Sequence, residues 1–254
     1  MNKATILVNK NLSLKEKFKK IFNCKFAYYL PSQREANIVL KKMKSKNEVV
    51  DLLKEPFFSF AGLRESIKEF KKQKRGILII YNTFSPFQVY PFEWIGDYAL
   101  FPLKGFISGD KGSRGHILLS KEQPFNIETN FPGIKGIETV EARRRLAEQT
   151  TLHLVRKIDG FKSLFKEIYY PYLTDKENAK SFLKSSGNVF SIRFKTKDIA
   201  ERFKQKLQLF DRDFVYGKNN SCVKRVRNCL IFSIGLESVN DLEQDIREAN
   251  LKIK

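Results

Sequence analysis

The residues GILIIY, 76–81, decide the fold class. The run is continuously apolar rather than alternating, which is typical of a strand that is buried on both faces of a sheet. A helical spacing of apolar residues precedes it at about 62–72. Because short apolar runs alternate with helical patterns back to residue 12, the first half is predicted to be α/β with a mostly parallel sheet.

The earlier elements follow the same rhythm. Helices are predicted at 12–22 and 33–44, and strands at KFAYYL, 25–30, and near 48–53. The rhythm breaks at 121–136, where two prolines and two glycines interrupt every pattern. This break predicts a domain boundary, with a larger domain over 1–135 and a smaller one over 136–254.

The second domain is predicted to be α/β with an antiparallel sheet. Its predicted elements are a long helix at 138–158, strand LFKEIYY, a helix at 175–184, strand NVFSIRF, a helix at 197–208, a short strand near 213–216, strand CLIFSI and a closing helix at 239–250. Ser238 stands where an N-cap is expected, three residues before Asp241.

The stretch IGDYALFPLKGFISGD, 95–110, ends an apolar run in a single lysine, Lys104. Desolvation of an ammonium group is costly, so a lysine at a strand end is either paired with a carboxylate or put to chemical use. Asp97 and Asp110 are the expected partners for a structural Lys104. His116, between Gly115 and the strand-like ILLS, is expected to be a satisfied loop histidine.

The formal net charge of +20 raises the possibility of nucleic-acid binding, from charge alone. The basic runs KKMKSK, KKQKR, RRR and KRVR lie in separate predicted elements, however, and no nucleic-acid-binding motif joins them. They are therefore expected to be solvated faces.

Other classes are disfavoured by composition. Three cysteines without metal-ligand spacing and two histidines predict no metal site and reduced thiols. The sequence shows no leader pattern and no apolar run long enough to span a bilayer. We therefore expect a cytoplasmic protein without a membrane partner.

Four segments in order resemble the Cys/Met-metabolism family of pyridoxal-phosphate enzymes, which includes cystathionine γ-synthase, cystathionine β-lyase and methionine γ-lyase. They are LKEKFKKIFNCKFAYYLPSQREA (14–36), LIIYNTFSPFQVYPFEWIGDYALFPLKGFISG (78–109), EIYYPYL (167–173) and IFSIGLESVNDLEQDI (231–246). The resemblance implies an aspartate aminotransferase-like fold with a reduced large domain. It also implies that Lys104 is the candidate Schiff-base residue.

The resemblance places the cofactor-binding positions at Ser32, Gln33, Arg34 and Tyr81. Most are substituted: Tyr81 stands where the family has the aspartate that holds the pyridine nitrogen protonated, and a phenol carries no negative charge at pH 7. Gln33 and Arg34 replace the Gly-Met at the phosphate, although the Arg34 side chain could itself meet a phosphate.

Further substitutions concern the lysine's neighbours and the substrate. Phe101 and Leu103 replace the hydroxyl residues that flank the lysine. Ile231 replaces the substrate arginine, which leaves Arg227 as a weak substrate-binding candidate. The chain is also shorter than the family, with a segment absent between VLKKMK and EVVDLLKEP.

Three functions remain open on the sequence. The favoured one is a non-catalytic, degenerate homologue without pyridoxal phosphate that associates with itself or with a full-length relative. The second is a surviving pyridoxal-phosphate lyase or transferase on a sulfur amino acid, with Lys104 as its Schiff base. The third is a basic nucleic-acid-binding module.

Overall fold

The computed structural model describes most of the chain. The described residues are 13–45, 47–51, 55–58, 60, 62–80, 87–88, 96–110, 112–122, 131, 133–134, 136–158, 160 and 164–253. Tyr81, which the resemblance places at a cofactor-binding position, lies outside these residues.

The first sheet has the strand order β1-β5-β4-β3-β2. Its strands are β1 (Phe26–Leu30), β2 (Asn47–Asp51), β3 (Gly76–Ile80), β4 (Tyr98–Pro102) and β5 (His116–Ser120). Strands β2, β3 and β4 are parallel neighbours, whereas β5 runs antiparallel to both β1 and β4. Only β5 is reversed among these strands, so the prediction of a mostly parallel sheet is confirmed.

Helices cover both faces of this sheet, as the continuous apolar strands require. They are α1 (Leu14–Phe22), α2 (Gln33–Lys44) and α3 (Leu63–Lys72). Ile77 and Ile79 of β3 pack in the same core as Phe18 of α1 and Ile67 of α3. Leu78, between them, faces the other side and packs with residues of α2. Alternate residues of one strand therefore fill two cores.

The second sheet is antiparallel throughout, as predicted, with the order β6-β7-β9-β8. Its strands are β6 (Phe165–Tyr169), β7 (Val189–Phe194), β8 (Cys222–Val226) and β9 (Cys229–Ser233). The helices of this half are α4 (Val140–Ile158), α5 (Pro171–Thr174), α6 (Lys176–Phe182), α7 (Lys197–Lys206) and α8 (Val239–Leu251). Ser238 caps α8 by accepting a hydrogen bond from the Asn240 N–H.

The predicted strand near 213–216 is wrong. These residues form a loop in which the rings of Phe214 and Tyr216 meet edge to face, 4.7 Å apart. The strand is instead β8, which the basic run KRVR concealed in the sequence. Because β8 lies at the edge of its sheet, it can carry charged side chains that an inner strand could not bury.

The two sheets share a core. Ala179 and Phe182 of α6, Val189 of β7 and Ile231 of β9 belong to the same buried cluster as the apolar residues of β3 and β4. A second cluster fills the space between the antiparallel sheet and helices α4, α7 and α8. The boundary at 135/136 stays a prediction.

Within the described residues, no helix is long and apolar enough to cross a membrane.

Candidate functional site

Lys104 lies just beyond the end of β4, in a turn that continues to Asp110. Leu103 N–H donates to the Gly115 carbonyl at 3.1 Å, which holds this turn beside the start of β5. Gly105 has φ +73°, and a Cβ there would run into the carbonyl oxygen of Tyr216. A glycine is therefore required directly after the lysine, because the turn lies against the backbone of another loop.

Arg143 of α4 anchors the far side of this turn. Its guanidinium donates to the carbonyl of Ile107 at 2.5 Å, to the carbonyl of Gly136 at 2.9 Å and to Asn219 Oδ1 at 3.2 Å. Burial lowers the pKa of Arg143, and the carboxylate of Asp110 acts in the opposite direction. The arginine joins three loops and thereby fixes the main chain that presents Lys104.

The expected ion pair of Lys104 is wrong. Asp97 accepts from the Ile77 N–H at 2.9 Å and lies 3.7 Å from Lys121 Nζ. Asp110 accepts from the N–H of Gly112, which closes a tight turn. Lys104 itself is exposed, and among the described residues its ammonium group has no carboxylate within ion-pair distance.

Lys104 borders a cavity of about 300 Å³ between the two halves of the chain. Its polar lining residues are Gln33, Lys104, His116, Tyr216 and Lys224. Its apolar lining residues are Leu40, Ile80, Leu100, Phe101, Pro102, Phe106, Phe214 and Val215. The cavity therefore has mostly apolar walls and a few basic or neutral polar groups.

Lys224, which the sequence reading counted only within a basic run, is the second cation of the cavity. It donates to Glu55 Oε1 at 2.6 Å and lies 4.6 Å from the ring centroid of Phe214. The hydroxyl of Tyr216 donates to the same carboxylate oxygen. Glu55 therefore offsets the charge of Lys224, and that of Lys104 remains.

His116 is the first residue of β5 rather than a loop residue. Its Nδ1 is buried and has no hydrogen-bond partner in the described part of the chain, so the expectation of a satisfied histidine is wrong. Burial lowers the pKa of the imidazole, and the positive charge of Lys104 lowers it further. The two side chains are thus electrostatically coupled at one end of the cavity.

The helix end that the resemblance assigns to the cofactor phosphate is already capped. Ser32 Oγ accepts from the Glu35 N–H at 3.2 Å, and the Glu35 carboxylate accepts from the Ser32 N–H at 3.0 Å. Gln33 lines the cavity and donates to Asn37, whereas Arg34 is exposed and is not one of the lining residues. A carboxylate thus lies at the helix end that the resemblance assigns to the phosphate, and like charges repel.

The residues present therefore do not fit pyridoxal phosphate. A carboxylate occupies the phosphate end, and the position of the ring-nitrogen aspartate is Tyr81 in the sequence. Phe101 and Leu103 are fully buried in the core and offer no hydroxyl beside the lysine.

The substrate-binding candidate lies elsewhere. Arg227 is exposed in the turn between β8 and β9, with φ +57°, and it does not line the Lys104 cavity. Ile231, at the position that the resemblance gives to the substrate arginine, is fully buried in the shared core. Among the described residues, no group of three or more His, Cys, Asp or Glu side chains could hold a metal ion.

Comparison with solved structures identifies the class of fold. The chain has the fold of the pyridoxal-phosphate-dependent transferases, as predicted. No protein-family profile matches the sequence, and no curated protein matches it either. The likeness therefore lies in the three-dimensional structure and not in detectable overall sequence similarity.

Three of the similar structures are enzymes of the predicted kind. A cystathionine gamma synthase from Xanthomonas oryzae pv. oryzae, in complex with aminoacrylate and cysteine, has a TM-score of 0.80 and 16% identity over 94% of this chain and 84% of its own. A methionine gamma lyase from Micromonospora echinospora has a TM-score of 0.78 and 16% identity, over 93% and 85%.

The third is a putative O-acetylhomoserine (thiol)-lyase from Campylobacter jejuni, which contains a pyridoxyl-lysine monophosphate. It has a TM-score of 0.76 and 16% identity, over 93% of this chain and 84% of its own. The resemblance seen in the sequence is thereby confirmed at the level of the fold. The ligands in these structures are ligands of those proteins.

Proposed function

We propose that this chain is a non-catalytic homologue of the transsulfuration-type pyridoxal-phosphate enzymes, and that it acts through association with itself or with a full-length relative. The observation that carries the proposal is the capping box at the start of α2, which puts the Glu35 carboxylate at the helix end that the resemblance assigns to the cofactor phosphate. The substitution by Tyr81 removes the charge that makes the pyridine ring an electron sink.

An open sheet edge supports association. Strand β2 is the outer strand of the first sheet, and no strand in the described part of the chain pairs with its outer side. Helix α2 reaches β2 through residues 45–46 alone, at the place where the family pattern has a longer segment. Unpaired strand edges are ready templates for another chain.

Cofactor binding is tested by absorbance and by chemical trapping. Purified protein is mixed with pyridoxal phosphate, its spectrum is recorded between 300 and 500 nm, and borohydride then fixes any imine for mass spectrometry. We expect no saturable band and no adduct that is specific to Lys104. A stoichiometric adduct on Lys104, absent in Lys104→Ala, would instead show cofactor binding and favour the surviving enzyme, for which the unpaired Lys104 is the supporting feature.

Association is tested separately, by light scattering after size exclusion and by co-expression with a tagged full-length cystathionine gamma-synthase-type protein. A dimer, or a co-eluting complex at a fixed ratio, is the expected result. Monomers that elute apart from the relative at micromolar concentrations would contradict the association.

A basic surface favours nucleic-acid binding as a second candidate function. The last turns of α2 and α3 lead directly into β2 and β3, which are parallel neighbours with Asn47 opposite Gly76. Two basic runs that are distant in sequence therefore end side by side. Their exposed cations, the basic edge, are Lys41, Lys42, Lys44, Lys71, Lys72, Lys74 and Arg75.

Salt dependence tests this second candidate. Anisotropy of a labelled duplex should show an affinity that falls steeply with salt, and the slope should decrease by about 1 for each phosphate-contacting lysine removed. The variant is Lys41→Gln, Lys42→Gln and Lys44→Gln together. The control, Lys195→Gln, Lys197→Gln and Lys206→Gln, removes three exposed lysines around α7. Equal losses of affinity in both variants would mean that binding depends on net charge and not on the basic edge.

A further inference from the structure

The cavity beside Lys104 has a composition that suits a particular class of ligand. None of the described residues that line it is acidic, whereas two are lysines. Most of the others are apolar, among them Leu40, Leu100 and Phe214. A ligand that matches this lining has an apolar body and one negative charge.

The geometry points to a binding site for small organic acids with an aryl or alkyl body, whose carboxylate is held by Lys104 beside His116. This inference rests on the proposed absence of pyridoxal phosphate, because a cofactor bound to Lys104 would occupy the same space.

Charge pairing assigns the carboxylate to Lys104 rather than to Lys224. Glu55 Oε1 accepts from Lys224 Nζ at 2.6 Å and also from the Tyr216 hydroxyl, so this end of the cavity is already neutral. The two aspartates nearest to Lys104 in the sequence bond elsewhere, Asp97 to β3 and Asp110 to its own turn. Lys104 is left as the cation whose charge a ligand can compensate.

His116 adds a second polar group to the same end of the site. Pro102 and His116 are opposite each other in the β4–β5 ladder, so the imidazole stands next to the turn that carries Lys104. The protein leaves Nδ1 of this ring without a hydrogen bond among the described residues. A carboxylate that screens the charge of Lys104 would let the nearby imidazole take up a proton more readily.

The apolar walls that would contact the body of the ligand come from both halves of the chain. Leu40 belongs to α2, Leu100 to β4, and Phe214 and Val215 to the loop that precedes β8. The Lys104 turn is fixed against this loop, because Asn219 N–H donates to the Gly109 carbonyl at 2.8 Å. The site is therefore preformed, which reduces the entropy lost on binding.

The test uses 3-phenylpropionate as the probe and calorimetry on the full chain without added pyridoxal phosphate. The probe should bind, and Lys104→Met should weaken it at least tenfold, as expected for a lost charge-assisted hydrogen bond. Lys104 is exposed, so this substitution does not burden folding. Lys121→Met, which removes another lysine near the same sheet but outside the cavity lining, should bind like the wild type.

The probe's own charge provides a second control. Replacement of 3-phenylpropionate by 3-phenyl-1-propanol keeps the body and removes the carboxylate, and it should weaken binding by a similar factor. In ¹H–¹³C spectra the His116 resonance should shift on titration with the acid, whereas that of the exposed His153 should not.

Any of three results would refute the proposed site: no binding of the acid, equal affinity of Lys104→Met and the wild type for the acid, or equal affinity of the wild type for the alcohol and the acid. An adduct of pyridoxal phosphate on Lys104 would refute the proposed function instead. Even then, the binding of the acid to cofactor-free protein would show separately whether the organic-acid site exists.

Discussion

The two sides of the turn from Leu103 to Asp110 differ in how completely their polar groups are satisfied. On the α4 side, Arg143 bonds to the carbonyls of Ile107 and Gly136 and to Asn219. On the cavity side, Lys104 has no carboxylate partner, and His116 Nδ1 has no hydrogen bond within the described residues. The same turn is thus tightly anchored on one side and chemically open on the other.

This contrast separates the interactions that stabilise the fold from those that would bind a cofactor. Buried hydrogen bonds and packing act on stability whatever the site does, so they can persist when a ligand changes. The helix end that the resemblance assigns to the phosphate, by comparison, carries the carboxylate of Glu35. Substitutions that break close backbone contacts or buried hydrogen bonds should therefore have larger effects on stability than changes to the polar groups beside the cavity.

Gly105→Ala should have the largest effect on stability. The new Cβ would collide with the Tyr216 carbonyl and approach Val215 Cγ1 to 2.9 Å, in a residue with φ +73°. Overpacking and the left-handed backbone together should lower the free energy of unfolding by about 3 kcal/mol in urea denaturation.

Gly62→Ala is its matched control, because Gly62 has the same φ of +73° with nothing within 4 Å of the added Cβ. It should cost only about 1 kcal/mol. Equal losses in the two variants would mean that the Lys104 turn does not lie against the Tyr216 loop.

Arg143→Ala should follow, with a loss of about 2 to 3 kcal/mol, because carbonyls that it bonds lose a charged donor. The same unfolding experiment on Arg145→Ala gives the comparison. Arg145 lies on the same helix, its side chain is 69% exposed and it pairs with Glu141, so its removal should change stability by about 0.5 kcal/mol or less. An Arg143→Ala variant as stable as Arg145→Ala would mean that the hydrogen bonds of Arg143 do not stabilise the turn.

Ser32→Ala should cost about 1 kcal/mol, since it removes the acceptor that caps α2. Thermal unfolding measures the loss. Ser45→Ala, at the other end of the same helix, is the comparison and should cost less, because its hydroxyl donates to the Lys42 carbonyl in an exposed position. No loss in Ser32→Ala would show that the capping box does not hold the helix end.

The smallest effect concerns pH. Burial lowers the pKa of His116 below 6.5, and Lys104 adds to the effect. The folded state thus favours the neutral imidazole, so the contribution of His116 to stability rises as the pH rises through the folded and unfolded pKa values. NMR titration should show the His116 pKa moving upwards in Lys104→Met while staying below 6.5. An unchanged pKa would mean that the two side chains are not coupled.

Much of the fold could be predicted because it depends on local patterns. Continuous runs such as GILIIY and helical spacing around them identify the elements of the first sheet, whose bounds differ from the predicted ones by a few residues. Strand β8 was missed because it is an edge strand with half-buried cations, and a run of cations resembles a solvated loop.

The site could be predicted only in part. Lys104 stands out in the sequence as a lone lysine after an apolar run, and in the structure it lies beside a cavity. Glu55 and Lys224 are 169 residues apart, and no local pattern connects them. His116 gives no sequence signal either, because its partner across the ladder is set by tertiary pairing.

Equilibrium dialysis of two ligands against the same protein tests most directly whether the open side of the turn has lost its cofactor and kept a site. Pyridoxal phosphate and 3-phenylpropionate are each dialysed against wild type and Lys104→Met. We predict that the acid binds to the wild type in a Lys104-dependent way, whereas pyridoxal phosphate shows no saturable binding to either protein. Stoichiometric, Lys104-dependent binding of pyridoxal phosphate would contradict this and would show that the chain has kept the cofactor site of the family that it resembles.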